Sequence, residues 1–296
     1  MKKISTCLLA VILLVGLFSG CAVPNSSDDG KIKVYTSFYP MYDFAKKIGG
    51  DRIALENMVP TGTEPHEWEP SSGDMAKLEK ADVFIYHGAG MEHWTDKVLK
   101  NISNQNMVAI EAAKDIPLIE DGSAHDAHAW LSIKNAKQEL AAIRDGFSKA
   151  DPEGAQVYQE NYNKWEKEFD ALDTEYRETL SSLSKKDIIV SHQAFGYLCR
   201  DYGLNQMAIS GLDSSSEPSP ARMAEIIRFA KDNGIRIIFA EELASEKVPS
   251  SIAREIGGEL RTLNPLEGLS KEEEQSGADY LSVMRENLNS LKEALS

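Results

Sequence analysis

The chain has 296 residues, with 32 Lys or Arg against 47 Asp or Glu, so its formal charge is −15 with neutral histidines. So acidic a protein is poorly suited to nucleic acid, whose affinity for proteins rests on cationic contacts to phosphate, while its surplus acid attracts cations only weakly and without selectivity. Of the cysteines Cys7, Cys21 and Cys199, only Cys199 lies in the body of the chain, which excludes an internal disulfide framework and a thiolate metal cluster.

Lys2 and Lys3 precede an apolar run from Cys7 to Phe18 that closes with Ser19-Gly20-Cys21. The run is too short for a membrane-spanning helix, and its basic, apolar, small-residue order is that of a secretory signal over residues 1–20. Cys directly after Ser-Gly suggests a lipobox, which makes Cys21 the lipidated N-terminus and the outer face of the cell membrane the location. A secreted protein cut nearby is the plainer alternative. Residues 21–30 are polar and read as a flexible tether. Without Lys2 and Lys3 the formal charge becomes −17, 30 basic residues against 47 acidic.

A first strand is expected over Lys31–Phe38, then a helix to Ile48 stopped by Gly49-Gly50. A second strand covers Arg52–Val59, and the loop holding His66 follows it. Ser72 or Asp74 is placed to cap a short helix to Lys80. Strands over Asp82–His87 and Met107–Ile110 flank a helix from about Glu92 to Leu99. Strands alternating with helices at this spacing argue for parallel pairing and an α/β lobe over residues 31–150. The long loop from Ala112 to Leu131 carries His125-Asp126-Ala127-His128, and loops of that length in compact domains are often functional. A helix runs from about Ile133 to Lys149.

Asp151-Pro152 restarts a helix, with Asp as cap and Pro at its first position. Tyr158, Tyr162, Trp165, Phe169, Leu172, Tyr176, Leu180 and Leu183 recur at steps of three and four. That stripe spans about eight turns, or about 45 Å, and predicts one long linking helix over residues 151–184 rather than a coiled coil, because strands resume directly after it. Those strands are Asp187–Ser191, Asn205–Ile209, Ile235–Ala240 and Glu259–Leu263. Helices over Ala194–Tyr202, Pro220–Asn233 and Ser245–Ile256 lie between them, and a last one covers Asp279–Leu295. Residues 185–296 thus form a second α/β lobe with the architecture of the first and no sequence repeat of it.

Ligands of parallel sheets bind beyond the carboxyl ends of the strands. His66 follows the second strand, His192 the fifth and Glu267 the last, while His128 lies in the long loop. If two lobes face each other by those ends, all four meet in the cleft. They stand 62, 64 and 75 residues apart, so no local metal motif applies and the fold must assemble the site. Three imidazoles and one carboxylate suit Zn(II). Manganese prefers more oxygen, and copper and nickel are not excluded by the ligands alone. A filled four-coordinate shell has no position for an activated water, which argues for holding the ion. Each histidine also has the plain alternative of a surface or hydrogen-bonded residue; His87 and His93 are read that way, and His125 as a transient ligand that hands metal to His128.

The stretches Gly62-Thr63-Glu64-Pro65-His66-Glu67-Trp68, Ala127-His128-Ala129-Trp130-Leu131-Ser132, Ser191-His192-Gln193-Ala194-Phe195-Gly196-Tyr197, Ser216-Glu217-Pro218-Ser219-Pro220 and Leu263-Asn264-Pro265-Leu266-Glu267, in that order, resemble the zinc-binding lipoproteins of bacterial metal ABC transporters, the cluster A-I (cluster 9) substrate-binding family. The resemblance covers nearly all of the chain from Lys31. It implies two lobes joined by one long rigid helix, with His66 and His128 supplied by the first lobe and His192 and the acid by the second. Manganese members carry Glu at the position of His192 and Asp at the last, so His192 and Glu267 point to the zinc branch. Ser123-Ala124-His125-Asp126 is a much shortened form of the family's His- and acid-rich loop. The resemblance implies a monomer with no enzymatic activity, which captures Zn(II) and docks on a membrane permease driven by its ATPase. Manganese binding, a three-His zinc hydrolase or lyase with Glu267 or Glu64 as base, and an adhesion lipoprotein with structural metal are the rival readings. No H-E-x-x-H motif supports the hydrolase.

Overall fold

The structure is a computed structural model that describes residues 30–122, 124–212 and 218–296. The signal segment 1–20 and Cys21 lie outside the described residues, as does part of the Ser216–Pro220 stretch. Residues Ile32–Ser296 form one compact unit.

The first sheet is built from β1 (Ile32–Thr36), β2 (Ile53–Asn57), β3 (Val83–Tyr86) and β4 (Val108–Glu111), in the order β2-β1-β3-β4. All its pairs are parallel, with Ile32 opposite Ile53, Val34 opposite Val83 and Val83 opposite Val108. Helices α1 (Tyr39–Gly49), α2 (Ser72–Leu78) and α3 (Thr95–Asn101) connect the strands. Central β3 is almost wholly buried, whereas β2 at the edge alternates, as expected for a parallel sheet covered on both faces and for a solvent-facing edge.

Between β4 and α4 (Ile133–Ala150) lies a two-stranded hairpin, β5 (Glu120–Asp121) and β6 (Ala124–His125), followed by a 3₁₀ turn at Ala129–Leu131. A further 3₁₀ turn, Pro152–Gly154, is capped by Asp151 and leads into α5 (Ala155–Ser181). With 27 residues, α5 is about 40 Å long. It buries Tyr158, Phe169, Leu172, Tyr176 and Leu180 from the expected stripe and packs against α1 and α4.

The second sheet contains β7 (Asp187–Val190), β8 (Asn205–Ala208), β9 (Ile237–Ala240) and β10 (Glu259–Thr262), in the order β10-β9-β7-β8 and again parallel throughout. Read from its other edge this is the strand order of the first sheet. Its helices are α6 (Gly196–Tyr202), α7 (Pro220–Asp232) and α8 (Lys247–Ile256), followed by α9 (Lys271–Ser276) and α10 (Tyr280–Leu295). Both α6 and α10 pack on α5, so the long helix touches both halves. One apolar core runs from Val34, Phe44 and Leu140 of the first half through Phe169 and Tyr176 to Val190, Phe195 and Leu288 of the second. At its centre Phe169 stacks on Tyr280, with ring centroids 5.0 Å apart.

Two expectations change at helix starts, and one helix is new. The cap of α2 is Ser71, and Asp74 is the third residue of its capping box. Helix α3 starts at Thr95 instead of Glu92, because the Glu92 side chain is taken by the preceding turn, where it accepts from Ser37 Oγ and from the His87 and Gly88 backbone N–H groups. Helix α9 was not expected; a Ser270–Glu273 capping box starts it, the local device that supplies two otherwise unpaired N–H groups with partners.

Candidate metal centre

The carboxyl ends of both sheets turn toward one point. His192 follows β7 after a single residue. Its backbone N–H donates to Glu241 Oε1 at 3.0 Å and its Nδ1 to Glu241 Oε2 at 2.7 Å, with Glu241 just after β9. His128 sits between the hairpin and the 3₁₀ turn. Its N–H and its Nδ1 both donate to Asp126 Oδ1 at 2.9 Å. A carboxylate can only accept, so each Nδ1 carries a proton and each Nε2 faces the cleft, where it becomes a free donor to a metal once it gives up any proton of its own.

Glu267 reaches the same point from the loop after β10. That loop is pinned by Asn287, which exchanges hydrogen bonds with the Asn264 backbone, and by Asn264 Oδ1, which accepts from the Leu266 N–H at 2.7 Å. Leu266 is fully buried and has φ +59°, a left-handed conformation uncommon for such a side chain. Strain of this kind persists where its surroundings over-determine it; here it reverses the chain so that Leu266 enters the core and Glu267 faces the cleft. His66 lies in the turn after β2, where Glu64 accepts its backbone N–H at 3.0 Å.

Glu267 Oε1 lies 3.2 Å from His66 Nε2, 3.1 Å from His128 Nε2 and 3.2 Å from His192 Nε2. His128 Nε2 is 3.3 Å from that of His66 and 3.2 Å from that of His192. Four donor atoms at tetrahedral corners with bonds of about 2.0 Å would stand about 3.3 Å apart, so the constellation has the size of a tetrahedral zinc shell. Among the described residues it is the one group of three or more His, Cys, Asp or Glu close enough to share an ion. The His66 side chain is 14% exposed and the other three 5% or less.

The electrostatics fit a cation. Burial raises the Glu267 carboxyl, but His192 and the hydrogen bonds from the three imidazoles outweigh it and hold Glu267 well below the usual carboxylate range. Burial lowers His192, yet Glu267 and Glu241 hold it well above the usual imidazole value, and Glu267 raises His66 against the same burial. The negative charge of the site therefore rests on its carboxylates, and an incoming cation would take the place of the protons that they hold on the imidazoles.

The remaining histidines lie elsewhere. His125 is exposed on β6, 3.1 Å from Glu120, and His93 is exposed 3.4 Å from Glu69. His87 is fully buried, and neither of its ring nitrogens has a hydrogen-bond partner among the described residues; burial pushes it down to about 3. The functional residues that sequence reasoning missed are Asp126 and Glu241. Asp126 stands two residues before His128 and Glu241 directly after β9, positions visible in the sequence but shared with many surface acids.

A family model described as ZnuA, zinc-uptake complex component A, periplasmic, matches residues 34–294. The chain belongs to the ZnuA family. That family is an uptake component, not an enzyme. Among curated relatives, the high-affinity zinc uptake system protein ZnuA of Bacillus subtilis is 37% identical over 97% of this chain and 95% of its own length. The zinc-binding lipoprotein AdcA of Streptococcus pneumoniae is 38% identical over 99% of this chain, which spans 61% of AdcA. The fold matches the Zn(II)-bound ZnuA-like domain of that AdcA with a TM-score of 0.82 at 39% identity, covering 90% of this chain and 99% of the domain. It also matches the laminin-binding protein Lmb of Streptococcus agalactiae, described as a bifunctional adhesin and metal transporter, with a TM-score of 0.83 at 31% identity over 90% of this chain and all of Lmb. Two four-stranded parallel sheets flanked by helices, with one long helix, are the architecture of these ZnuA-like structures.

Proposed function

We propose that this ZnuA-family protein is the extracytoplasmic zinc-binding component of an ABC importer, taking Zn(II) between its two halves and delivering it to a membrane permease driven by an ATPase. The observation that carries this reading is the convergence of His66, His128 and His192 Nε2 on Glu267 Oε1 at 3.1–3.2 Å. In it those four residues are the ligands, and three nitrogens with one oxygen favour zinc over manganese. A closed shell serves transport better than hydrolysis, because a catalytic zinc keeps one position open for water. Lipid on Cys21 anchors the chain at the outer face of the membrane. The protein acts as a monomer of two lobes, residues 31–150 and 185–296, held by the helix over 151–184, and His125 on its short hairpin is a transient ligand during capture.

Metal analysis of the purified protein with a chelator-competition titration tests the reading. We expect one Zn(II) per chain, preferred over Mn(II), and a loss of affinity of more than about 100-fold in His192→Ala, which leaves an incomplete shell. A variant within a few-fold of the parent would refute the site. Likeness to Lmb favours adhesion as a second role, and absence of binding to immobilised laminin, with or without zinc, would exclude it for that matrix protein.

A further inference from the structure

The segment that carries His128 follows the first sheet in sequence, yet it is fastened to the second half of the molecule. In the hairpin, Glu120 pairs with His125 and Asp121 with Ala124, so the next rung joins Ile119 and Asp126. On that rung Asp126 N–H donates to the Ile119 carbonyl at 2.9 Å. The return bond is replaced: Ile119 N–H donates to the Tyr197 hydroxyl at 3.0 Å, and that hydroxyl donates to the Asp126 carbonyl at 2.8 Å. A buried phenol from α6 is thus inserted into the ladder. The residue before it matters for the same contact, since a Cβ on Gly196 would lie 2.4 Å from Asp126 Oδ2. The other oxygen of that carboxylate, Oδ1, is the one that takes both the N–H and the Nδ1–H of His128.

We propose that Tyr197 and Gly196 are positioning residues for zinc. Tyr197 holds the backbone of Asp126, Gly196 leaves the room that its carboxylate occupies, and through Asp126 they fix His128 in the frame that also holds His192. The clamp rests on the reading of His128 as a ligand. Its physical content is preorganisation: a ligand already aimed at the ion need not be ordered when the ion arrives and is slower to swing away. It also gives the Gly-Tyr pair after His192 a task that neither backbone conformation nor core packing requires, because phenylalanine would fill the same apolar surroundings of Ala113, Ile116 and Ala129.

The test uses the full chain loaded with Zn(II). Zinc loss into excess chelator, affinity by competition and the thermal midpoint of the zinc-free protein are measured for the parent, Tyr197→Phe, Gly196→Ala, His128→Ala and the double variant Tyr197→Phe/His128→Ala. Tyr197→Phe is expected to lose zinc about 10- to 100-fold faster, the range found when groups that orient a ligand are removed, with the zinc-free midpoint near that of the parent. In the His128→Ala background the same change is expected to have no further effect, since the two residues act on one ligand. A parent-like rate in Tyr197→Phe beside an impaired His128→Ala would overturn the clamp alone, and so would an equal effect of Tyr197→Phe in both backgrounds. Parent-like affinity in His128→Ala would overturn the ligand reading and the clamp with it.

Discussion

Asp126 and Glu241 each accept two hydrogen bonds from one histidine, which fixes both the ring orientation and its tautomer. Glu241→Gln keeps the shape but removes the charge and allows the amide to present N–H to Nδ1, so we expect zinc affinity to fall about 10- to 100-fold in a competition titration. Protons compete for the same imidazoles. Because His66 and His192 are held above the usual imidazole value, affinity should begin to fall above that value as pH is lowered from about 8 to about 5, and a flat profile would contradict the assignment. The same shifts act on the zinc-free fold with opposite signs. The raised His192 contributes stability that is complete below the ordinary imidazole value and lost as pH rises through its folded value. The depressed Glu267 contributes stability present above the ordinary carboxylate value and lost as pH falls through its folded one. Glu139 is a third case. It is buried in α4, its oxygens lack hydrogen-bond partners among the described residues, and burial raises it well above the usual range. The unfolded chain ionises this group at neutral pH and the folded one resists, so Glu139→Met should raise the zinc-free thermal midpoint at pH 7, with a gain that shrinks as pH falls toward about 4.3.

Among the elements, α4 approaches β4 at Gly146, where a Cβ would stand 2.1 Å from Ile110 Cδ1. Gly146→Ala adds helix propensity but overpacks this contact, and we expect a net loss of about 1–3 kcal/mol in denaturant unfolding. The sequence was most legible where one period dominates. Apolar runs such as Val83–Tyr86 and the Tyr158–Leu180 stripe mark strands and the long helix because burial repeats along them. It was least legible where side chains replace backbone partners: Glu92 delays α3, Ser270 with Glu273 starts α9, and the hairpin at Glu120–His125 rests on only two backbone pairs. The places of His66, His128, His192 and Glu267 could be read from strand ends, since a parallel sheet aims those ends one way. Asp126 and Glu241 could not be singled out, because their task depends on which imidazole nitrogen faces them, a distance that no spacing encodes.

At the scale of the molecule, the halves share one core and are joined around the site. Trp130 Nε1 donates to the Pro265 carbonyl at 2.8 Å, the Tyr280 hydroxyl donates to the Trp130 carbonyl at 2.7 Å, and Gly62 N–H donates to the Leu269 carbonyl at 2.9 Å. The two bonds of Trp130 are buried, and bonds of that kind resist wide separation of the halves. The radius of gyration from solution scattering should accordingly change little on zinc loading, whereas a large compaction would indicate hinge closure. Zinc at about a hundred times Kd should nonetheless stabilise the fold by about 2.7 kcal/mol, seen as a rise in the thermal midpoint. The common strand order of the two sheets supplies a map between halves that the amino-acid sequence lacks. Laid strand on strand, Phe38 falls at the place of His192, two residues after the first strand of each sheet. His87 falls at the place of Glu241, directly after the third, and the segments after the fourth deliver His128 in one half and Glu267 in the other. The plan is duplicated and the chemistry is not: at the first and third strands one copy spends these places on aromatic packing and a neutral imidazole, and the other on a proposed ligand and the carboxylate that orients its ring.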